Sequence, residues 1–302
     1  MSVTEATTTE RWKEQGRREW SEGAAAWRKW HAPFAVMSRG ATGAIVEAVR
    51  AAPGLRVLDI ASGTGEPALA LAAAVAPGGA VIATDLVAEM LADIEELARQ
   101  AGLTNITARQ ADAEALPFED GAFDAVTCRF GVMNFADAPR ALREMRRVLK
   151  PGGRAAFVAW GPRDQNPFFT VTAAPVMKRV PMPAPEPGAP NTFKFAQPGT
   201  LSVALVAAGF RGVAEETRAI RWVWPGPAEE FWAAAAEYGP SFRQLVRQLP
   251  PERVDEAVAE ILANVRRFGN GARVDFPASI VIATGCAETS SDRASGCWES
   301  GR

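Results

Sequence analysis

From residue 55 onward, short apolar runs alternate with segments of helical period. LRVLDI leads through a glycine-rich turn into EPALALAAAVA. After the turn PGG come VIATD and then AEMLADIEELARQAG, a helix ending on Gly102. NITARQAD and FDAVTCRF follow as strands, a helix spans 138–149 and is halted by KPGG, and RAAFVAW is a further strand. Apolar strands separated by amphipathic helices predict βαβ units, and so an α/β fold with a doubly wound, mostly parallel sheet. The alternation lapses after Trp160. It resumes with a helix over 200–208, a strand over 212–224, a helical insertion over 227–268 and a last strand over 273–284.

Upstream, Trp20, Trp27 and Trp30 stand seven and three residues apart with Trp12 before them, a stripe that predicts an apolar helical face. Residues 11–39 are therefore expected to form a helical lid. The polar ends 1–10 and 287–302 are expected to be disordered. Between them 11–286 reads as a single domain, with 161–200 as a cover of loop and helix that includes the proline-rich PMPAPEPGAP at 181–190.

Composition narrows the function classes. A chain of 302 residues can bury one large core, and a net charge of -2 provides no electrostatic footprint for a nucleic acid. In the densest basic stretch, RALREMRRVLK, Leu142, Met145 and Leu149 keep helical spacing and leave the arginines on a solvated face. No run approaches the roughly 18 apolar residues of a membrane span. MSVTEATTTE lacks the basic patch and apolar core of an export signal, so a cytoplasmic location is expected. Cys128, Cys286 and Cys297 have no metal-ligand spacing, predict no metal site and fit a reduced compartment. The pattern leaves a homodimer open.

The candidate chemistry begins at VLDIASGTGEPAL, a buried strand running into a glycine turn that opens a helix, where Pro67 suits the first helical turn. Gly63, Gly65 and Ala68 match the dinucleotide fingerprint, and Asp85 follows Gly65 by 20 positions, placed for a ribose hydroxyl pair. Alone, this permits a nicotinamide-dependent oxidoreductase. That reading lacks a Tyr-x-x-x-Lys pair, because Tyr238 is followed by GPSF. Asp59 before the turn and Asp112 after the third strand shift the balance, since carboxylates repel a pyrophosphate and suit a cation. S-adenosylmethionine has an ammonium and a sulfonium, no phosphate, a ribose for Asp85 and an adenine amino group for Asp112.

On VLDIASGTG, VIATD with EML, RQADAEALPFEDGAFDAVTCRFGVMNF and RVLKPGG, the chain resembles the class I S-adenosylmethionine-dependent methyltransferases, and among them the UbiE-like group of ubiquinone/menaquinone biosynthesis. The resemblance is close over roughly 40–160. It implies a seven-stranded Rossmann-like sheet with a reversed last strand. It further implies Asp59, Ala61, Ser62, Gly63 and Gly65 at the methionine end of the cofactor, Asp85 on its ribose, and Asp112 with Ala113 at its adenine. Leu86, Met90 and Arg129 complete the expected cofactor set. Ala61 stands where many relatives have glycine. The quinone enzymes carry an arginine before the asparagine of the stretch corresponding to GVMNF; here that place is Met133, while Asn134 remains.

Methyl transfer from a sulfonium is an in-line displacement, for which a protein positions the partners and excludes water. An activated aromatic carbon also needs a proton removed. His31, the only histidine, and Asn134 are the candidate catalytic residues. The tryptophan lid and the proline-rich loop point to a small, largely apolar acceptor, such as a quinone precursor, polyketide or aromatic acid, and to small-molecule biosynthesis. A protein that binds the donor without catalysis is the other alternative. NPFF at 166–169 resembles a motif of adenine-N6 DNA methyltransferases, but it follows the fifth strand rather than the fourth and reads as the start of a helix.

Overall fold

A computed structural model describes residues 7–180 and 186–288. The lid helices are α1 (Thr8–Lys29), α2 (His31–Met37) and α3 (Arg39–Ala48). The first half of the sheet then runs β1 (Arg56–Ile60), α4 (Ala68–Val75), β2 (Ala80–Asp85), α5 (Ala88–Leu91), α6 (Ile94–Gln100) and β3 (Ile106–Gln110). The second half runs β4 (Phe123–Arg129), α7 (Ala138–Arg147), β5 (Leu149–Trp160), α8 (Pro167–Met177), α9 (Thr200–Ala207), β6 (Arg211–Trp224), α10 (Ala228–Tyr238), α11 (Pro240–Arg247), α12 (Pro251–Arg266) and β7 (Val274–Cys286).

The seven strands stand in the order β3-β2-β1-β4-β5-β7-β6. Pairing is parallel from β3 to β5, and β7 alone runs antiparallel to its neighbours β5 and β6. The central strands are apolar on both faces because helices cover both: Val57, Leu58, Val126, Phe157 and Ile280 are fully buried. Strand order reverses between β1 and β4, which opens a crevice beyond their carboxyl ends.

Several boundaries differ from the expected ones. The helix of the lid starts at Thr8, inside the stretch expected to be disordered, because TTTE forms a capping box: the Thr7 hydroxyl accepts from the Glu10 amide and the Glu10 carboxylate accepts from the Thr7 amide. Residues 1–6, 181–185 and 289–302 lie outside the described residues, and with them the remainder of the disordered start, the first half of the proline-rich stretch and most of the tail. AEMLADIEELARQAG is two helices rather than one. The break at Ala92 and Asp93 lets Met90 pack against Ala24 of α1 while Ile94 faces the main core. KPGG lies inside β5, where the register with β4 jumps between Phe123 and Ala125.

Cys286 is disulfide-bonded. Cys128 is free and buried in β4.

Two arginines of α7 are engaged within the protein: Arg147 pairs with Glu144 and Asp120, and Arg146 donates to the Gly209 carbonyl. Asn166 of NPFF is completely buried; its amide donates to the carbonyls of Gly161, Pro162 and Ser279 and its oxygen accepts from the Ser279 amide. It thereby ties the start of α8 to β7. Among the described residues no helix is long and apolar enough to cross a membrane.

Candidate active site

The glycine turn after β1 is laced to the end of β2. The Ser62 hydroxyl donates to the Asp59 carbonyl and accepts from the Thr84 amide, and the Ser62 amide donates to the Thr84 carbonyl. Ala61, Gly63 and Gly65 all have positive φ, at 55°, 54° and 121°. For Ala61 this is the strained left-handed region, which explains why glycine suits the position.

Asp85, the last residue of β2, holds the turn in place: one carboxylate oxygen accepts from the Gly63 amide and the other from the Val87 amide, each at 3.0 Å. Burial pushes this carboxyl up to about 6, against the pull of those amides.

The turn forms the floor of a cleft of about 1160 Å³, counted out to its mouth. Of the expected site residues, Ala61, Ser62, Gly63, Asp85, Leu86, Met90, Asp112, Ala113, Arg129, Asn134 and His31 all line it. Gly65 and Asp59 do not. Gly65 backs onto Leu69, whose side chain would meet an added Cβ at 3.0 Å.

Asp59 is sealed below the floor. It lies beside Thr127 in the β1–β4 register, is 0% exposed, and accepts the Thr127 hydroxyl on Oδ1 at 2.5 Å, while Oδ2 has no partner. Burial raises its carboxyl to about 6 from an ordinary 3.8. The folded protein therefore holds a proton here that the unfolded chain releases, and stability falls as pH rises from about 4 to 6. Replacing Asp59 with asparagine removes the charge and keeps an acceptor for Thr127. The ligand-free protein at pH 7.5 should gain about 1–2 kcal/mol, seen as a higher melting temperature with a shallower decline between pH 4 and 6. An unchanged slope would show that the carboxylate is accommodated as an ion.

The lid supplies the other wall. Trp12, Trp20, Trp27 and Phe34 line the cleft, and Trp27 packs on Phe34 and Tyr238 at ring separations of 4.4 and 4.8 Å. Trp30 turns away, packs at a tilt against Trp224 and donates its indole N–H to Glu237, so the tryptophan stripe divides between site and core. Glu186 accepts the Trp12 indole N–H at 2.9 Å, which brings that residue against the same wall.

His31 begins α2 with Nδ1 3.3 Å from the Thr64 hydroxyl of the glycine turn, and burial holds its pKa below the ordinary value. Asn134 donates its amide to the Phe130 carbonyl. Met133 is buried in the core and reaches no part of the cleft.

Three residues of the cleft escaped the sequence reading. Lys13 of α1 reaches Asp112 at 2.8 Å and pairs also with Glu114, so one carboxylate expected for a ligand already holds a lysine. Glu114 is 4% exposed. Glu66, the third, closes the glycine turn and faces the cleft. Glu66 directly follows Gly65 and was legible as a carboxylate of the turn; Lys13 carries no signal at a distance of 99 residues from Asp112.

The arrangement of carboxylates, with one tight glycine turn and an aromatic wall, suits a cationic nucleoside beside an apolar molecule. Comparison with known proteins agrees with this. Residues 36–172 match the ubiE/COQ5 methyltransferase family. A demethylmenaquinone methyltransferase of Deinococcus radiodurans is 38% identical over 168 residues, which are 52% of this chain and 68% of that protein. The chain belongs to this family. A demethylmenaquinone methyltransferase of Thermus thermophilus is 47% identical over 116 residues, 38% of this chain, and the match spans about half, 52%, of that relative's length. The solved structure of a Bacillus halodurans C-125 protein shares the fold at a TM-score of 0.53 and 20% identity, over 82% of this chain and 99% of the other. The matched family segment holds β1 to β5 and the start of α8, and with them the glycine turn, Asp85, Asp112 and Asn134.

Proposed function

We propose that this protein is a class I S-adenosylmethionine-dependent methyltransferase that transfers a methyl group to carbon or oxygen of a small, largely apolar acceptor of the quinone-precursor type. The observation that carries the reading is the cleft itself: Asp85 locked against the glycine turn at one end and the wall of Trp20, Trp27 and Phe34 beside it. The cofactor supplies an electrophilic methyl on a sulfonium. Asp85 accepts from the ribose hydroxyls with lone pairs its two amide partners leave over, Met90 and Leu86 pack on the nucleoside, and Asp112 with Ala113 stands at the base. The aromatic wall excludes water and seats the acceptor. The reading includes a cytoplasmic location, no nucleic-acid partner and a single domain over 11–286, and it leaves a homodimer open.

His31 is the proton acceptor in this reading. When Nδ1–H donates to Thr64, Nε2 keeps the lone pair that takes a proton from the acceptor, and burial keeps the ring neutral at pH 7. Asn134 keeps its side-chain oxygen for the acceptor. The rate should rise as pH passes upward through the lowered His31 pKa and stay level above it. His31→Gln should lower kcat by about 10²–10⁴-fold, with S-adenosylhomocysteine affinity kept within about threefold. An unchanged kcat and pH profile would remove the assignment.

The test of the function is transfer from radiolabelled S-adenosylmethionine into a source-cell extract, separated into organic-soluble, polar, protein and nucleic-acid fractions. Label in the organic fraction is expected; label in protein or nucleic acid would overturn the acceptor class. A rise in melting temperature with S-adenosylhomocysteine and none with NADH separates this reading from an oxidoreductase. Donor that binds but is never consumed would favour the non-catalytic alternative.

A further inference from the structure

Two glycines interrupt the lid helix α1, and only one has a packing reason. Gly23 is buried, and a Cβ there would meet Arg243 Nη1 at 2.8 Å. Gly16 lies in the interior of the same helix with backbone that any residue adopts, and an added Cβ would have no atom within 4 Å. A glycine in a helix interior weakens the helix relative to alanine. Neither a special φ nor a close neighbour offsets that loss at position 16, so what the glycine contributes is the space it leaves. That space opens on the cleft. Gly16 lines it together with Trp12 and Trp20, which stand four residues to either side, about 6 Å each way along the helix axis. Polar contacts on both sides of the gap hold α1 in this rotation: Lys13 pairs with Asp112 and Glu114, Trp12 donates to Glu186, Ser21 donates to Glu89 and Arg28 pairs with Asp93. Lys13, the charge on the cleft-lining face, is neutralised by its two carboxylates, which leaves the gap with an indole on each flank.

We propose that Gly16 is a specificity-determining residue: the notch it leaves between Trp12 and Trp20 admits an apolar side chain carried by the methyl acceptor. The inference rests on the acceptor reading above. In that reading the donor is taken up on the opposite face of the cleft, by Asp85, Leu86 and Met90, so space on the lid side falls to the acceptor. α1 lies outside residues 36–172, so the family match does not account for the notch.

Turnover of naphthoquinols with and without a straight alkyl chain, supplied in the reduced form with S-adenosylmethionine to the full chain, tests this. The wild-type protein should methylate both and favour the chain-bearing quinol by about tenfold or more in kcat/KM. Gly16→Leu fills the notch. It should cut kcat/KM for the chain-bearing quinol about tenfold or more beyond any loss for the unsubstituted one, with S-adenosylhomocysteine affinity kept within about threefold. Gly16→Ala adds one methyl group to the same space and serves where the leucine variant fails to fold. It should raise the melting temperature by about 1–3 °C and lower the preference by about threefold. Equal loss of both quinols in the variants, or an undiminished preference for the chain, overturns the proposal. A fall in S-adenosylhomocysteine affinity as large as the loss for the chain-bearing quinol does so too, because the notch would then face the donor. Wild-type turnover without preference between the quinols overturns the proposal alone, whereas turnover of neither overturns the acceptor reading with it.

Discussion

Replacing Asp85 with alanine should weaken S-adenosylhomocysteine binding by about 100-fold or more and lower the melting temperature of the ligand-free protein. Among the described residues, the carboxylate is the acceptor for the amides of Gly63 and Val87. Removing it leaves two donors short of a partner at about 1–3 kcal/mol each. That loss releases the glycine turn from β2 just where the floor of the cleft is formed, so the binding surface is lost together with the proposed ribose contact. About 2.7 kcal/mol corresponds to 100-fold in affinity. A nearly isosteric change is also informative: Asp85→Asn must direct an amide N–H at one of the two backbone N–H groups and should recover little. The ionised carboxylate is the form that accepts from a ribose diol, and burial pushes the carboxyl up to about 6. Affinity should therefore increase from pH 5 to pH 7 in the wild type and be flat in Asp85→Asn. Calorimetric titration at several pH values checks all three results, and an alanine variant within a few-fold of the wild type would refute the ribose assignment.

Gly131→Ala should destabilise the protein by about 2–3 kcal/mol through overpacking alone. A Cβ at this position would stand 2.6 Å from the Cβ of Ala61 and 2.8 Å from the sulfur of Cys128. Both neighbours are fixed, Ala61 by the strained turn and Cys128 by its place in β4. The loop after β4 would have to lift away from the glycine turn, which would also misplace Arg129, Phe130 and Asn134 in the cleft. Ala61→Gly removes one of the two colliding atoms and relieves a left-handed alanine, a gain of about 1–2 kcal/mol offset by the greater freedom of glycine in the unfolded chain. Alone it should be close to neutral. Combined with Gly131→Ala it should restore at least half of the lost stability, and that non-additivity is the signature of direct contact. Urea melts of the four proteins measure it. Strict additivity would mean that the loop escapes by another route.

Much of this protein can be read along the chain. The alternation of LRVLDI, VIATD, FDAVTCRF and RAAFVAW with amphipathic helices specifies the parallel sheet, since a strand covered on both faces must be apolar throughout. The glycine turn and the acids at successive strand ends mark the cleft because they are local features: a positive φ, a turn and a strand end each leave a signal within a few residues. Features that depend on distant contacts leave no such signal. Asp59 reads as a ligand group from its place before the turn, yet the β1–β4 register sets it beside Thr127, 68 positions away, and the floor closes over it. His31 can be read as the only histidine, but only the docking of α1 and α2 brings it to Thr64 and carries Lys13 to Asp112. The break between α5 and α6 and the division of the tryptophan stripe arise in the same way. The sequence by itself determined the order of the elements and which residues stand at the strand ends, because periodicity and turn chemistry act locally. Only the tertiary structure decided which of those residues reach the cleft and which are sealed beneath it, because strand register and helix docking couple positions that no spacing along the chain relates.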